Sequence, residues 1–156
     1  MAKVKPIPEG MHSVTPHILV RGAAKAIEFY KNAFGAQEIS RSPTPDGRLM
    51  HAMIRVGDSF IFLADEFPEM GGAGAPTPGQ SPVVLHLYVE DADATWNQAI
   101  RAGGKPKMPL MDMFWGDRYG QLLDPFGHTW ALATHKEDVS PEEMQRRAQA
   151  AFSAPR

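Results

Sequence analysis

Two stretches, PHILVRGAAKAIEFYKNAFGA (Pro16–Ala36) and LHLYVEDADATWNQAIRAGGK (Leu85–Lys105), decide the fold, because the second restates the first. At a constant offset of 69 residues, His17 answers to His86, Val20 to Val89, Ile27 to Trp96, Ala33 to Ala102 and Gly35 to Gly104. Leu63 and Leu132 keep the same spacing, and Gly57 and Gly127 differ from it by one. A period this long is not that of a solenoid, whose units run to about 20–50 residues. It describes a duplicated half-domain, and a groove where the halves meet is the natural place for a ligand.

Working outward, each copy reads as strand, helix, then three strands. Val14–Val20 is an apolar, β-branched run and predicts a strand. Ala26, Ile27, Tyr30, Ala33 and Phe34 recur at helical spacing within Ala23–Phe34, and Gly35 is placed to end that helix in the left-handed conformation. Gln37–Arg41, Leu49–Val56 and Phe60–Asp65 predict the three strands, with turns at Pro45-Asp46-Gly47 and Gly57-Asp58. In the second copy, Val83–Val89 is a strand and Asp91 caps a helix carrying Trp96, Ala99 and Ile100. Lys107–Met113, Asp117–Leu123 and Thr129–Thr134 follow as strands, the last two joined by Asp124-Pro125-Phe126-Gly127. The expected layout is a leader over 1–13, a first module over 14–66 and a Gly/Pro-rich linker over 67–82. A second module spans 83–136, and 137–156 form a C-terminal helix and tail, capped by Ser140 ahead of Pro141 and Glu143. The fold class is α+β, a tandem of βαβββ modules forming a curved mixed-sheet groove.

Composition narrows the function classes. Of 156 residues, 43% are apolar and 22% charged, the balance of a globular chain, and the net charge of −2 provides no basic stripe for nucleic acid. No apolar run approaches the roughly 18 residues of a membrane span, and the first residues lack the apolar core of a signal peptide. The absence of cysteine rules out disulfides, thiolate zinc sites and a cysteine nucleophile. A cytoplasmic protein is the expectation.

Alternation along the strands assigns the candidate site. With Ile18, Val20, Leu85, Leu87, Val89, Ala52, Ile54 and Val56 turned to the helices, the opposite, concave side receives His17, His51, His86, Tyr88, Tyr119 and Gln121. Phe60, Phe62, Thr129 and Ala131 share that side by the same parity. Histidines, a tyrosine and a glutamine on a mostly apolar face suit a small-molecule pocket; the other reading is that these histidines bond their sheet neighbours and do no chemistry. Met108, Met111, Met113, Phe114 and Trp115 make either an adaptable apolar wall beside the pocket or a surface buried by the terminal helix or a second subunit. Asp117 and Arg118 either steer a polar ligand or, the simpler reading, form a local ion pair; His128 reads as structural, His135 as solvated and Glu66–Glu69 as ordinary surface.

Five motifs in order, AIEFYKNAFGA (Ala26–Ala36), DGRLMHAMI (Asp46–Ile54), LYVEDAD (Leu87–Asp93), WGDRYG (Trp115–Gly120) and DPFGHTW (Asp124–Trp130), resemble the vicinal oxygen chelate superfamily, and within it the PhnB-like group. The superfamily includes glyoxalases, ring-cleaving dioxygenases, fosfomycin-modifying enzymes and bleomycin-binding proteins. The resemblance implies a homodimer, often with modules exchanged through the linker. It also implies four metal-ligand positions, which fall on Thr15, Phe62, Val84 and Ala131 here. Three of these cannot ligate a metal, so no glyoxalase quartet and no cofactor is expected. A divalent metal on His17, His51 and His86 is the alternative ligand set. The function expected is binding of a small, partly hydrophobic molecule by His17, His51, Phe62, His86, Trp115, Tyr119 and Gln121. The rival is an acid–base enzyme of the superfamily, with or without a histidine-bound metal: a lyase, isomerase or oxygenase with His51 as its catalytic group.

Overall fold

The structure, a computed structural model, describes residues 3–153 and Pro155. The chain divides between Pro76 and Thr77 into two compact units.

The first unit runs β1 (His17–Val20), α1 (Ala23–Phe34), β2 (Gln37–Pro43), β3 (Leu49–Val56) and β4 (Ser59–Asp65). Its sheet has the order β1-β4-β3-β2, with β1 parallel to β4 and the other neighbours antiparallel. The helical stripe of Ala26, Ile27, Tyr30 and Ala33 is buried against Ile18, Val20, Ala52, Ile54, Ile61 and Leu63, so one face of the sheet is fixed as core. Gly35 (φ 68°) ends α1, its N–H and that of Ala36 returning to the Lys31 and Tyr30 carbonyls. At the other end Gly22 has no side chain with which to cap. Asp65, arriving on β4, supplies the acceptor instead: Oδ1 takes the N–H groups of Gly22 (2.7 Å) and Ala23 (3.0 Å), and Oδ2 takes that of Leu49 (2.7 Å). One buried carboxylate thus joins a helix start and two strands.

The second unit repeats the plan with β5 (Val84–Tyr88), α2 (Ala92–Ala102), β6 (Lys105–Asp112), β7 (Asp117–Leu123) and β8 (Thr129–His135), ordered β5-β8-β7-β6. Equivalence reaches single registers: His17 lies opposite Phe62 and His86 opposite Ala131. Thr134, 69 residues beyond Asp65, performs the same tethering with a hydroxyl. It accepts from Ala92 N–H and donates to the Val89 carbonyl, both at 2.8 Å. Asp91 caps α2 through Ala94 N–H at 3.0 Å. In the turn before β8, Asp124 accepts from the N–H groups of Phe126 and His128 and from Trp130 Nε1, which anchors the largest core side chain. A third helix, α3 (Pro141–Ser153), starts at Ser140, whose Oγ accepts Glu143 N–H.

Several elements differ from expectation in their bounds. The first strand begins at His17, not Val14. Pro16 has no N–H to give, and only its carbonyl enters the ladder, accepting from Phe62 N–H at 2.9 Å. The sixth begins at Lys105 and loses register between Pro106 and Met108 and between Met108 and Met111, where Pro106 and Pro109 remove donors. The segment after β4 contains a single 3-10 turn, Pro68–Met70. Glu66–Glu69 lies at the surface, where the Arg48 guanidinium sits 4.2 Å over the Phe67 ring and pairs with Glu69 and Asp46, and Glu66 pairs with Arg21. Among the described residues no helix is long and apolar enough to cross a membrane.

Candidate ligand-binding faces

Burial of Ile18, Ala52, Ile54, Ile61 and Leu63 on the helix side leaves the alternate residues of the first sheet on the open side. There the structure brings together His17, His51 and Phe62. The His51 and Phe62 rings lie 4.8 Å apart edge to face, and His17 is 6.0 Å from His51 and 6.2 Å from Phe62. His17 is exposed, the other two half-buried.

The open side of the second sheet holds His86, Trp115, Tyr119 and Gln121. Their rings make a continuous row with Tyr88: Trp115 to Tyr119 5.4 Å, Tyr119 to His86 5.7 Å, His86 to Tyr88 4.6 Å. Gln121 Nε2 donates to Tyr119 Oη at 2.7 Å, a bond that uses neither the amide oxygen nor the phenolic proton. Tyr88 is 61% exposed, an unusual setting for so large a ring.

Where the two ends of this row, Tyr88 and Trp115, converge stands a group missed by sequence reasoning. Asp117 is 4% exposed; its Oδ2 accepts from Tyr88 Oη and from Trp115 Nε1, each at 3.2 Å, and its Oδ1 lies 2.8 Å from His135 Nδ1. The local Asp117–Arg118 ion pair is therefore corrected. Successive strand residues face opposite ways, and Arg118 reaches the helix side to grip Asp93 through both carboxylate oxygens (2.9 and 3.0 Å), with Asp112 at 3.5 Å. That pairing holds the Asp93 carboxyl below its usual range. His135 is likewise not simply solvated: β8 extends to it, opposite Asp117, and its Nε2 lies 2.7 Å from Asp138. The bond to Asp138, then that to Asp117, raises the His135 pKa above the ordinary imidazole value. Desolvation of its oxygen and the Asp117 bond raise that of Tyr88, although the ring itself is exposed. The available signal was parity, since Asp117 shares the side of Tyr119 and Gln121, and His135 that of Ala133. A cleft of about 630 Å³ opens beside this group, lined by Tyr88, Val89, Glu90, Thr134 and His135.

Phe114 packs edge to face on Trp115 at 5.1 Å and also approaches α3, 6.4 Å from Phe152, and its carbonyl accepts from Arg147. Met108 and Met111 stay exposed on β6. His128 is buried in the Asp124 turn.

The donor set does not fit a glyoxalase metal. Phe62 and Ala131, opposite His17 and His86 in register, offer no ligand atom, and Val84 offers none either. Among the described residues no three His, Asp or Glu side chains gather as a group able to hold a metal ion.

A family model described as the Glyoxalase/Bleomycin resistance protein/Dioxygenase superfamily matches residues 10–132. An uncharacterized protein of Mycobacterium bovis is 43% identical over 136 residues, covering 85% of this chain and 90% of the relative. The crystal structure of an Arabidopsis thaliana gene product superposes with a TM-score of 0.63 at 25% identity, over 79% of this chain and 98% of that one. A Bacillus cereus PhnB protein, described as a putative 3-demethylubiquinone-9 3-methyltransferase, gives 0.63 at 19% identity over 79% and 99%, a likeness of fold.

Proposed function

Since the chain belongs to the glyoxalase/bleomycin resistance protein/dioxygenase superfamily, we propose that it binds a small, partly hydrophobic molecule on the open faces of its sheets, without the glyoxalase metal quartet. One observation carries this reading: the row Trp115–Tyr119–His86–Tyr88, with ring separations of 4.6–5.7 Å, is left open on a folded sheet. Aromatic rings set in this way present π-faces to a planar or greasy ligand, and each stacking contact adds about 0.5–1.5 kcal/mol beyond area burial. Gln121, Tyr119 and His86 supply a few directional polar groups, the combination by which a pocket orients a ligand. His17, His51 and Phe62 offer a second cluster of the same character.

Calorimetric titration with planar aromatic compounds tests it, beginning with 8-anilinonaphthalene-1-sulfonate. Saturable binding that is lost in the Trp115→Ala and Tyr119→Ala variants is the expected result. Tightly bound metal on elemental analysis, with an activity that disappears on chelation, would overturn it. That second outcome belongs to the enzymatic reading, which the approach of His17 and His51 favours, and in which His51 moves a proton. A homodimer forms part of the proposal, supported by apolar side chains left exposed on the edge strands, Val84 of β5 and Met108 and Met111 of β6. Light scattering on the purified chain gives its mass directly.

A further inference from the structure

Ligand stacking makes no use of the charge arrangement beneath Tyr88 and Trp115. His135 has a carboxylate oxygen on each ring nitrogen, Asp117 Oδ1 at 2.8 Å from Nδ1 and Asp138 Oδ1 at 2.7 Å from Nε2. An ionised carboxylate can only accept, so both bonds require both nitrogens to carry hydrogen. The ring in this arrangement is an imidazolium. A neutral imidazole has one N–H and keeps one of the two partners. Asp117, almost fully buried, is the partner more expensive to strand, so the bond given up is that to the exposed Asp138.

Asp138 ends a segment folded onto the turn that carries Trp115. The N–H groups of Lys136 and Glu137 both reach the Gly116 carbonyl (2.9 and 3.1 Å), and Gly116 N–H closes the turn on Met113. Arg147 of α3 pairs with Glu137 and donates to the Phe114 carbonyl. The remaining charged and titratable neighbours of His135 are Tyr88, joined to the same carboxylate, Glu90 across the shared cleft, and Lys136 next along the chain.

We propose that His135 is a proton-operated latch: as an imidazolium it ties Asp117, and with it the Tyr88 and Trp115 rings, to the Asp138 segment, and the aromatic face takes up its ligand in this latched state. The inference rests on the ligand-binding reading above and adds its regulation. Loss of the proton releases Asp138 from His135 and removes the positive charge that balances the buried carboxylate to which the Tyr88 and Trp115 rings are bonded. Uptake therefore weakens as pH rises through the His135 midpoint, which the flanking carboxylates hold above the ordinary imidazole value.

Nitrogen-15 NMR of the full chain follows the His135 ring and the Trp115 indole N–H across pH, and 8-anilinonaphthalene-1-sulfonate binding is measured at the two ends of the titration. The expected result is a His135 that is doubly protonated below a midpoint lying above the ordinary imidazole value, and a Trp115 signal that moves with the same midpoint. The midpoint falls in Asp138→Asn, and the Trp115 step is lost in His135→Gln. The dye dissociation constant rises by a factor on the order of five above the midpoint in the unmodified chain, and stays flat in His135→Gln. A His135 midpoint at or below the ordinary imidazole value, a Trp115 signal indifferent to its titration, or equal dye affinity above and below the midpoint overturns the latch. A latch seen by NMR with no dye bound at any pH instead contradicts the ligand-binding reading alone, so the two failures are separable.

Discussion

The Tyr88 hydroxyl donates to Asp117 Oδ2 at 3.2 Å, linking the end of β5 to the start of β7 across a span of 29 residues. The same oxygen holds the Trp115 indole, so one buried carboxylate sets both ends of the exposed aromatic row. Asp117→Ala strands three donors at once and is expected to destabilise by about 2–4 kcal/mol, whereas Tyr88→Phe, which removes one part-buried donor and strands none, lowers stability by about 1 kcal/mol or less. Urea denaturation of the two variants checks the ranking, and equal losses would show that Asp117 does not organise the row.

Asp65 carries a comparable duty in the first unit with no aromatic partner. Its three backbone acceptor bonds, two at 2.7 Å and one at 3.0 Å, tie the start of α1 to β3 and β4. Asp65→Ala is expected to destabilise by about 2–4 kcal/mol. Asp65→Asn recovers only part of this, because its amide NH₂ meets donors where a second acceptor is needed. Hydrogen exchange at Gly22, Ala23 and Leu49 would rise first.

Two glycines with positive φ separate backbone strain from crowding. At Gly57 (φ 59°) an added Cβ meets nothing within 4 Å, so Gly57→Ala is expected to cost about 1 kcal/mol, the ordinary left-handed penalty. At Gly116 (φ 99°) the Cβ falls 2.3 Å from the Glu137 carbonyl oxygen, a backbone atom. Gly116→Ala must displace the segment ahead of α3, and a loss exceeding that of Gly57→Ala by about 2 kcal/mol is expected from thermal unfolding.

The sign of the His135 contribution follows from its direction of shift. Its pKa is higher in the folded chain, held up by Asp138 and then Asp117. The stabilisation is therefore complete below the unfolded imidazole value and disappears as pH rises through the folded one. The gap in Tm between the unmodified chain and His135→Gln should be widest in mildly acidic solution and close toward alkaline pH. A gap that widens with rising pH would reverse the assignment.

Where local chemistry and tertiary packing agree, the elements were readable. Ala23–Phe34 has its apolar stripe and a terminating glycine, and Leu49–Val56 alternates from Ala52 onward, Leu49 being buried out of phase beyond a register shift. The edges were harder. Val14 looks like the rest of an apolar run, but the ladder that defines β1 cannot draw an N–H from Pro16, and the prolines of β6 break its register in the same way. Strand parity assigned His17, His51, Phe62, His86, Tyr119 and Gln121 to one concave side; the structure gathers the first three on the first sheet and the last three on the second. It also held the role of Asp117, which was hidden by its neighbour: adjacent opposite charges suggest an ion pair, yet a pleated strand turns them apart. Nor does sequence spacing foretell that Arg48 will find Phe67 and Glu69, or His135 find Asp117. Those meetings are made by long-range strand pairing and the chain's return after β4.

Mapping 8-anilinonaphthalene-1-sulfonate by NMR chemical-shift changes on the full-length chain tests the central claim most directly. Saturable shifts centred on His86, Tyr88, Trp115, Tyr119 and Gln121 are expected, with loss of the response in Trp115→Ala. Shifts confined to other surfaces, or none at saturating dye, would contradict the account.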